Sequence, residues 1–174
     1  KRGTLVKFTP DKEIFKEITD FDYEILSKRM RELSFLNKGI TISILDNRKK
    51  DKDGNPVSES FHSKEGLSEF IKYLDESREP IIKNIIKMEG EKNGIPVEVA
   101  MIYNSSFSEN LHSYVNNINT HEGGTHLSGF RRGLTNTLKK YAESSGLTDK
   151  LKFDISGDDF REGLTAVISV KVAE

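Results

Sequence analysis

The feature that most constrains the fold is a long amphipathic segment, from about Thr125 to Ser144, which lies between two strand-like runs. Its apolar residues recur at helical spacing and form one apolar stripe, made of Leu127, Phe130, Leu134, Leu138 and Tyr141. Gly146 ends this segment, and residues 164–172 then alternate in polarity as a strand does. Strands before and after helices predict an α+β fold or a split βαβ unit.

The preceding part of the chain divides at turn signals. Helical spacing predicts a helix with Tyr23, Leu26, Met30 and Leu33 on one face, capped by Asp20 or Asp22. Strand patterns occupy residues 4–8, 40–44, 57–62, 82–89, 97–103 and 110–118, and a short helix covers residues 67–74. Asn93-Gly94 predicts a hairpin turn, so we expect the last three of these strands to form an antiparallel meander.

Composition excludes several classes of protein. The 174 residues include 27 basic and 28 acidic ones, a formal net charge of −1, which argues against a bulk-basic nucleic-acid binder but not against a local basic patch. The absence of cysteine excludes disulfides, thiolate nucleophiles and cysteine-ligated zinc. No apolar run approaches the ~18 residues of a membrane span, and we expect a cytoplasmic location. The start at Lys1, shortly before a strand-like run, suggests a piece of a larger protein.

Three polar motifs could carry chemistry, and each favours a structural role. His121 and His126 are five residues apart, which does not fit a zinc-protease helix. Gly123 and Gly124 could offer N–H groups to an anion, but a tight strand-to-helix turn also needs glycine. The adjacent Asp158-Asp159 pair could serve acid–base work, although carboxylates at a helix start more often cap it.

Four basic residues on the long helix have two possible roles. Arg132 and Lys139 lie on one exposed line opposite the apolar stripe, Arg131 lies at the edge of the stripe, and Lys140 follows. They form either a solvated face or a face that contacts phosphate without reading sequence. No nucleophile–base pair or metal cluster is evident, so the residues alone favour a coupling or binding module over an enzyme.

Several longer motifs resemble the DNA gyrase B family, the ATPase subunits of bacterial type II topoisomerases. They are Gly3–Asp11 (GTLVKFTPD), Arg31–Gly39 (RELSFLNKG), Asn116–His126 (NNINTHEGGTH) and Gly157–Ala166 (GDDFREGLTA). They follow the order of that family and span nearly the whole chain. The ATPase subunit of topoisomerase IV is a close relative and the alternative family. An autonomous nucleic-acid-binding module with a ribosomal-protein-like fold is the alternative of another class.

The resemblance implies two domains. Residues 1–12 would be the last strand of a Bergerat-type ATPase domain. Residues 13–174 would be a transducer domain with a ribosomal-protein-S-five-like fold, in which a βαβ crossover is left-handed against the usual rule. The catalytic Glu, the Asn that binds Mg, the glycine-rich lid and the lysine loop that reaches the ATP γ-phosphate have no counterpart in this chain. We therefore expect it to be inactive by itself.

The resemblance also implies site residues and partners. Thr4 matches a threonine that helps bind adenine, and Arg131 matches an arginine that lines the DNA-holding cavity of the dimer. Arg132 matches no such residue, and we add it as a further candidate DNA contact because it is adjacent to Arg131. The expected cofactors of the parent enzyme are ATP and Mg. The expected partners are duplex DNA, a second copy of gyrase B and, in a heterotetramer, gyrase A. The implied mechanism is that ATP binding joins two copies of gyrase B and closes a gate around a captured duplex.

Overall fold

The computed structural model describes residues 2–17, 20–148 and 154–173, which contain three α-helices, two β-sheets and one 3₁₀ turn. The elements in chain order are α1 (Tyr23–Leu36), β1 (Thr41–Lys50), β2 (Pro56–His62), α2 (Leu67–Leu74), β3 (Ile86–Lys92), β4 (Ile95–Tyr103), β5 (Asn110–Val115), β6 (Ile118–Asn119), α3 (Thr125–Ser144), the 3₁₀ turn (Asp159–Arg161) and β7 (Leu164–Val170). β1 and β2 form a hairpin, and the larger sheet has the order β3-β4-β7-β5-β6. The α+β prediction is confirmed.

The last strand, β7, lies at the centre of the larger sheet. It pairs antiparallel with β4 and parallel with β5, and all seven of its residues are buried. The predicted three-strand meander is therefore wrong, because β5 lies beside β7 and not beside β4. The reason is the crossover through α3, which carries the chain back along the sheet. β7 therefore enters between β4 and β5 and pairs with the free hydrogen-bonding edge of each.

Helices cover both faces of this sheet. On one face α2 buries Leu67, Phe70 and Ile71 against a cluster that includes Leu36, Ala100, Ile102, Tyr114 and Val167. On the other face α3 places Leu127, Phe130 and Leu134 against Val99, Met101, Leu164, Ala166 and Ile168. A large apolar side chain that is fully buried contributes about 1.5–3 kcal/mol to stability. The sheet is thus the rigid layer on which α3 is positioned.

The hairpin between β3 and β4 forms as the sequence predicts. Asn93 and Gly94 both have positive φ, at 54° and 75°, as a type I′ turn requires. β3 begins at Ile86 and not near Ile82. Ile82 and Ile85 instead pack against the α2 side of the core, so these residues serve the core and not the sheet.

The face of α1 that packs against the β1–β2 hairpin overlaps the predicted face at Tyr23 but is shifted around the helix. The Asp22 side chain caps its start by accepting a hydrogen bond from the Ile25 N–H at 3.0 Å. Tyr23, Ser27 and Ser34 are buried residues of the packed face, while the predicted leucines and methionine are half-buried. The serines can be buried because their hydroxyls are bonded, Ser27 to a Glu59 carboxylate oxygen (3.0 Å) and Ser34 to a carbonyl of its own helix.

The two-residue turn between β5 and β6 ties distant parts of the chain together. Asn116 and Asn117 both have positive φ. The Asn116 amide accepts a hydrogen bond from the Val172 N–H (2.9 Å) and donates one to the Val172 carbonyl (3.0 Å). Asn117 donates to the Asn37 side chain (2.9 Å), and its carbonyl accepts from Arg29 (2.7 Å). This turn therefore connects the chain beyond β7 with α1.

The strand predicted at residues 4–8 is not formed within the described part of this chain. In the described ranges, these residues pair with no other strand, and Leu5, Val6 and Phe8 are 92%, 77% and 72% exposed. A strand forms only where a neighbouring backbone supplies hydrogen-bond partners. Across the same ranges, no helix combines the length and the apolar character needed to cross a membrane.

Candidate nucleic-acid interface

The start of α3 is fixed by its glycine turn. Gly124 has a φ of 157°, and a Cβ at this position would lie 2.7 Å from the His126 ring. The His126 Nε2 is hydrogen bonded to the Thr120 hydroxyl at 3.1 Å, and that hydroxyl lies 2.6 Å from the one of Ser113 on β5. The block around residues 120–126 thus attaches the first turn of α3 to the sheet.

Arg131 lies at the side of α3 and is paired with a carboxylate. Its Nε donates to one oxygen of Glu109 at 3.1 Å, and its Nη2 donates to the other oxygen at 2.5 Å. This bidentate bond raises the pKa of Arg131 above its already high ordinary value. The Arg131 side chain is 40% exposed, so the guanidinium remains open to solvent on one side.

Arg161 extends this pair into a network of four charged residues. The Arg161 Nε lies 2.8 Å from Glu109, at ion-pair distance but without hydrogen-bond alignment, and its Nη2 donates to Asp158. Its Nη1 donates to the Thr135 hydroxyl on α3 at 3.0 Å. The 3₁₀ turn, α3 and the entry to β5 are therefore held together by the network of Glu109, Arg131, Asp158 and Arg161.

The adjacent aspartates have separate roles. Asp158 is bonded to Arg161. Asp159 accepts a hydrogen bond from the Ser156 N–H at 2.7 Å. Hydrogen bonds from the side chain and the backbone of Ser156 lower the pKa of the Asp159 carboxyl. A carboxyl with a lowered pKa stays ionised at neutral pH and is a poor general acid. The predicted capping role is not filled by Asp158, which precedes the 3₁₀ turn and forms no side-chain cap bond, whereas Asp159 braces the start of the turn through Ser156.

The other basic residues of α3 face solvent. Arg132, Lys139 and Lys140 are exposed, as the helical spacing predicts. None of the three appears in an ion pair within the described ranges. The structure thus separates Arg131, which is held by the network, from Arg132, which is exposed beside it.

Thr4 is not part of this network. It lies in the exposed segment before α1, and its hydroxyl forms no hydrogen bond in the described part of the chain. Sequence reasoning missed Glu109 and Arg161 as site residues. Arg161 could have been found, because it belongs to the motif at residues 157–166, whereas Glu109 carries no local signal.

The central strand is covered by helices on both faces, and a charged network lies beside the long helix. These features define the structural class of the protein as a helix-covered α+β domain. The family model for DNA gyrase B matches residues 66–174. The chain belongs to the DNA gyrase B family, so the family resemblance of its motifs is confirmed.

The curated relatives support this assignment along the whole chain. The DNA gyrase B proteins of Cytophaga aurantiaca and Cytophaga hutchinsonii are each 59% identical over 172 residues, or 99% of this chain and 36% of each relative. The DNA gyrase B of Halalkalibacterium halodurans is 46% identical over 174 residues, or 100% of this chain and 26% of the relative. This chain therefore spans about a third of the length of the relatives it matches, or less.

Solved structures agree with the fold. The 43K ATPase domain of Thermus thermophilus gyrase B, in complex with an aminocoumarin, has a TM-score of 0.76 and 31% identity, covering 95% of this chain and 43% of that one. The B-subunit of the DNA gyrase from Myxococcus xanthus has a TM-score of 0.76 and 26% identity, covering 93% and 43%. The topoisomerase IV ATP-binding domain of Francisella tularensis shares the fold, with a TM-score of 0.68 and 24% identity, covering 95% and 42%.

Proposed function

We propose that this chain is the transducer of a bacterial type II topoisomerase, DNA gyrase B. In the full-length protein it couples ATP binding and hydrolysis to closure of a DNA gate and strand passage during supercoiling. The observation that carries the proposal is the match to the 43K ATPase domain of a gyrase B over 95% of the chain. The proposed role is coupling and not catalysis, because the family resemblance places the residues that hydrolyse ATP in the ATPase domain, and the described residues contain no group of three or more side chains that could hold a metal ion.

The proposed domain boundary lies near residue 12. The exposed apolar side chains of Leu5, Val6 and Phe8 favour a strand that completes a sheet in the ATPase domain. Residues 13–174 would form the transducer, with the ribosomal-protein-S-five-like fold. Its left-handed crossover would be the β5–α3–β7 unit, whose parallel strand pair is of the required kind.

ATP and Mg would bind in the ATPase domain of the full-length protein. The exposed Thr4, whose hydroxyl is bonded to no other described residue, is the group that this chain offers to the adenine. The described residues offer no cluster that would hold Mg, so we expect the isolated chain not to hydrolyse ATP. When bound, the nucleotide would supply the phosphate whose hydrolysis resets the gate.

Duplex DNA would lie along α3. Arg131 would contact the phosphate backbone, and Arg132 would be a second contact, both without reading base sequence. A second copy of gyrase B would complete the cavity, and gyrase A would complete the heterotetramer. Because the substrate is bacterial DNA, we expect the assembly in the cytoplasm.

The first test changes Arg131 in the full-length protein. Arg131→Gln should reduce the stimulation of ATP hydrolysis by duplex DNA about tenfold while basal hydrolysis stays near the wild-type rate, because one charged phosphate contact is worth about 1.5 kcal/mol. Lys52→Gln, at the exposed tip of the β1–β2 hairpin, is the control that removes one positive charge elsewhere. Equal loss of basal and stimulated hydrolysis would instead indicate a folding or dimerisation defect.

A further inference from the structure

We infer that Glu109 is a positioning residue that holds the Arg131 guanidinium in the orientation in which it contacts DNA. This inference rests on the proposed function, since it concerns the same DNA contact. Glu109 lies just before β5, and Arg131 lies on α3, 22 residues later. The contact therefore joins two separate elements on the α3 side of the sheet.

The geometry of the pair fixes one side of the guanidinium. The side-on bond uses the Nε–H and one N–H of Nη2, at 3.1 and 2.5 Å. The remaining N–H groups, on Nη1 and Nη2, donate no hydrogen bond in the described part of the chain. An arginine can pair with a carboxylate on one edge and still present donors to a phosphate on another.

Glu109 is itself held in place. Its side chain is 25% exposed and lies 2.8 Å from Arg161, whose side chain is only 15% exposed. Arg161 is fixed in turn by Asp158 and by the Thr135 hydroxyl. A carboxylate shared between two arginines has little freedom to follow either one, so it serves as a rigid support.

The surroundings explain why this support is needed. A surface cavity of about 250 Å³ beside Glu109 is lined by Phe107 and Arg161 together with the carboxylates of Asp158, Asp159 and Glu162. Asp158, which is bonded to Arg161, adds to the negative charge that raises the pKa of Arg131. A phosphate would be repelled from this acidic side, and an Arg131 released from Glu109 would be drawn toward it. Glu109 thus keeps the guanidinium from being captured by the neighbouring carboxylates.

A competing role for Glu109 would change the response to DNA in the opposite direction from a positioning role. If Glu109 only competed with phosphate for Arg131, its removal would free the guanidinium and strengthen the response to DNA. Positioning predicts a weaker response, because the DNA must then order a flexible side chain when it binds. Ordering such a side chain corresponds to about a three- to tenfold loss.

The experiment measures ATP hydrolysis by the full-length protein against duplex DNA concentration. The variants are Glu109→Gln, Arg131→Gln, the double variant, and Glu143→Gln as the control that removes an exposed carboxylate from α3. We expect Glu109→Gln to raise the DNA concentration for half-maximal stimulation about three- to tenfold. We expect it to have no further effect in the Arg131→Gln background and Glu143→Gln to behave as wild type.

The outcomes separate the two proposals. If Arg131→Gln lowers the stimulation but Glu109→Gln leaves the half-maximal concentration unchanged or decreases it, the positioning role is wrong and the proposed function stands. If Glu109→Gln acts equally in both backgrounds, it acts through folding, and positioning is again wrong even where the variant is less stable. If Arg131→Gln has no effect on stimulation, the DNA contact itself is wrong.

Discussion

At the scale of single residues, Asp46 shows how this chain stabilises a buried charge. Its side chain is 6% exposed and accepts hydrogen bonds from the Arg48 backbone N–H (2.9 Å), Nε (2.9 Å) and Nη2 (2.8 Å). These bonds lower the pKa of Asp46 from 3.8 to about 2. Because the folded state holds the ionised form more strongly than the unfolded state does, the carboxylate stabilises the fold.

The sign of the pKa shift sets the pH dependence. The contribution of Asp46 to the unfolding free energy should be complete above about pH 3.8 and lost as the pH falls toward about 2. Asp46→Asn should therefore lower the urea midpoint at pH 6, and the difference from wild type should shrink below pH 3.8. Asp53→Asn, at an exposed hairpin tip, is the control. A difference that stays constant down to about pH 2 would contradict the assigned pKa.

Gly163 is a residue whose backbone conformation is tightly constrained. Its φ is 72°, and a Cβ there would lie 2.4 Å from the Asn104 carbonyl oxygen and 3.0 Å from that of Ser106. Gly163→Ala should lower the unfolding free energy by about 3 kcal/mol, measured by urea denaturation. Gly54→Ala shares the positive φ (83°) but meets no atom within 4 Å, so it should cost only about 1 kcal/mol. Equal costs would show that the contact with Asn104 is unimportant.

At the scale of elements, the β5–β6 turn should contribute more to the free energy of unfolding than an ordinary hairpin turn does. Asn116→Ala removes both side-chain bonds to Val172, whereas Asn93→Ala changes a turn residue of similar φ whose side chain forms no hydrogen bond in the described chain. We expect Asn116→Ala to cost about 1–2 kcal/mol more than Asn93→Ala in urea unfolding. Amide hydrogen exchange at Val172 should accelerate only in Asn116→Ala. Unchanged exchange would show that the two hydrogen bonds from Asn116 do not hold the chain at Val172.

The elements also show which parts of the fold are predictable from sequence. The type I′ turn at Asn93-Gly94 and the cap at Asp22 follow from the chemistry of adjacent residues, and α3 has its predicted bounds. The position of β7 in the sheet cannot be predicted from adjacent residues, because its insertion beside β5 depends on a crossover through α3 and not on local pattern. The burial of Ser27 on α1 does not follow from the sequence, because serine is polar and only the fold brings Glu59 to its hydroxyl.

The candidate site, like the fold, can be predicted from the sequence only in part. Helical spacing predicts that Arg132 and Lys139 are exposed, since both lie opposite the apolar stripe of one helix. It places Arg131 at the edge of that stripe but cannot supply its partner, because Glu109 belongs to another part of the chain. The role assigned to Thr4 stays a prediction, since its proposed partners lie in another domain.

At the scale of the whole molecule, the net charge of −1 conceals an uneven distribution. The exposed line of α3 is basic, whereas the cavity beside Glu109 is lined mostly by carboxylates. A contact made by one helix face is local and non-specific, and it weakens with salt. Arg131 is therefore expected to contribute a local phosphate contact within the full-length assembly.

The most direct test of this claim is the salt dependence of duplex binding by the full-length protein, saturated with a non-hydrolysable ATP analogue. The logarithm of the binding constant should fall linearly with the logarithm of salt concentration. For Arg131→Gln, the slope should be shallower by about one for each copy of Arg131 that contacts a phosphate, and equally so for unrelated DNA sequences. An unchanged slope, or an effect confined to one DNA sequence, would contradict the account.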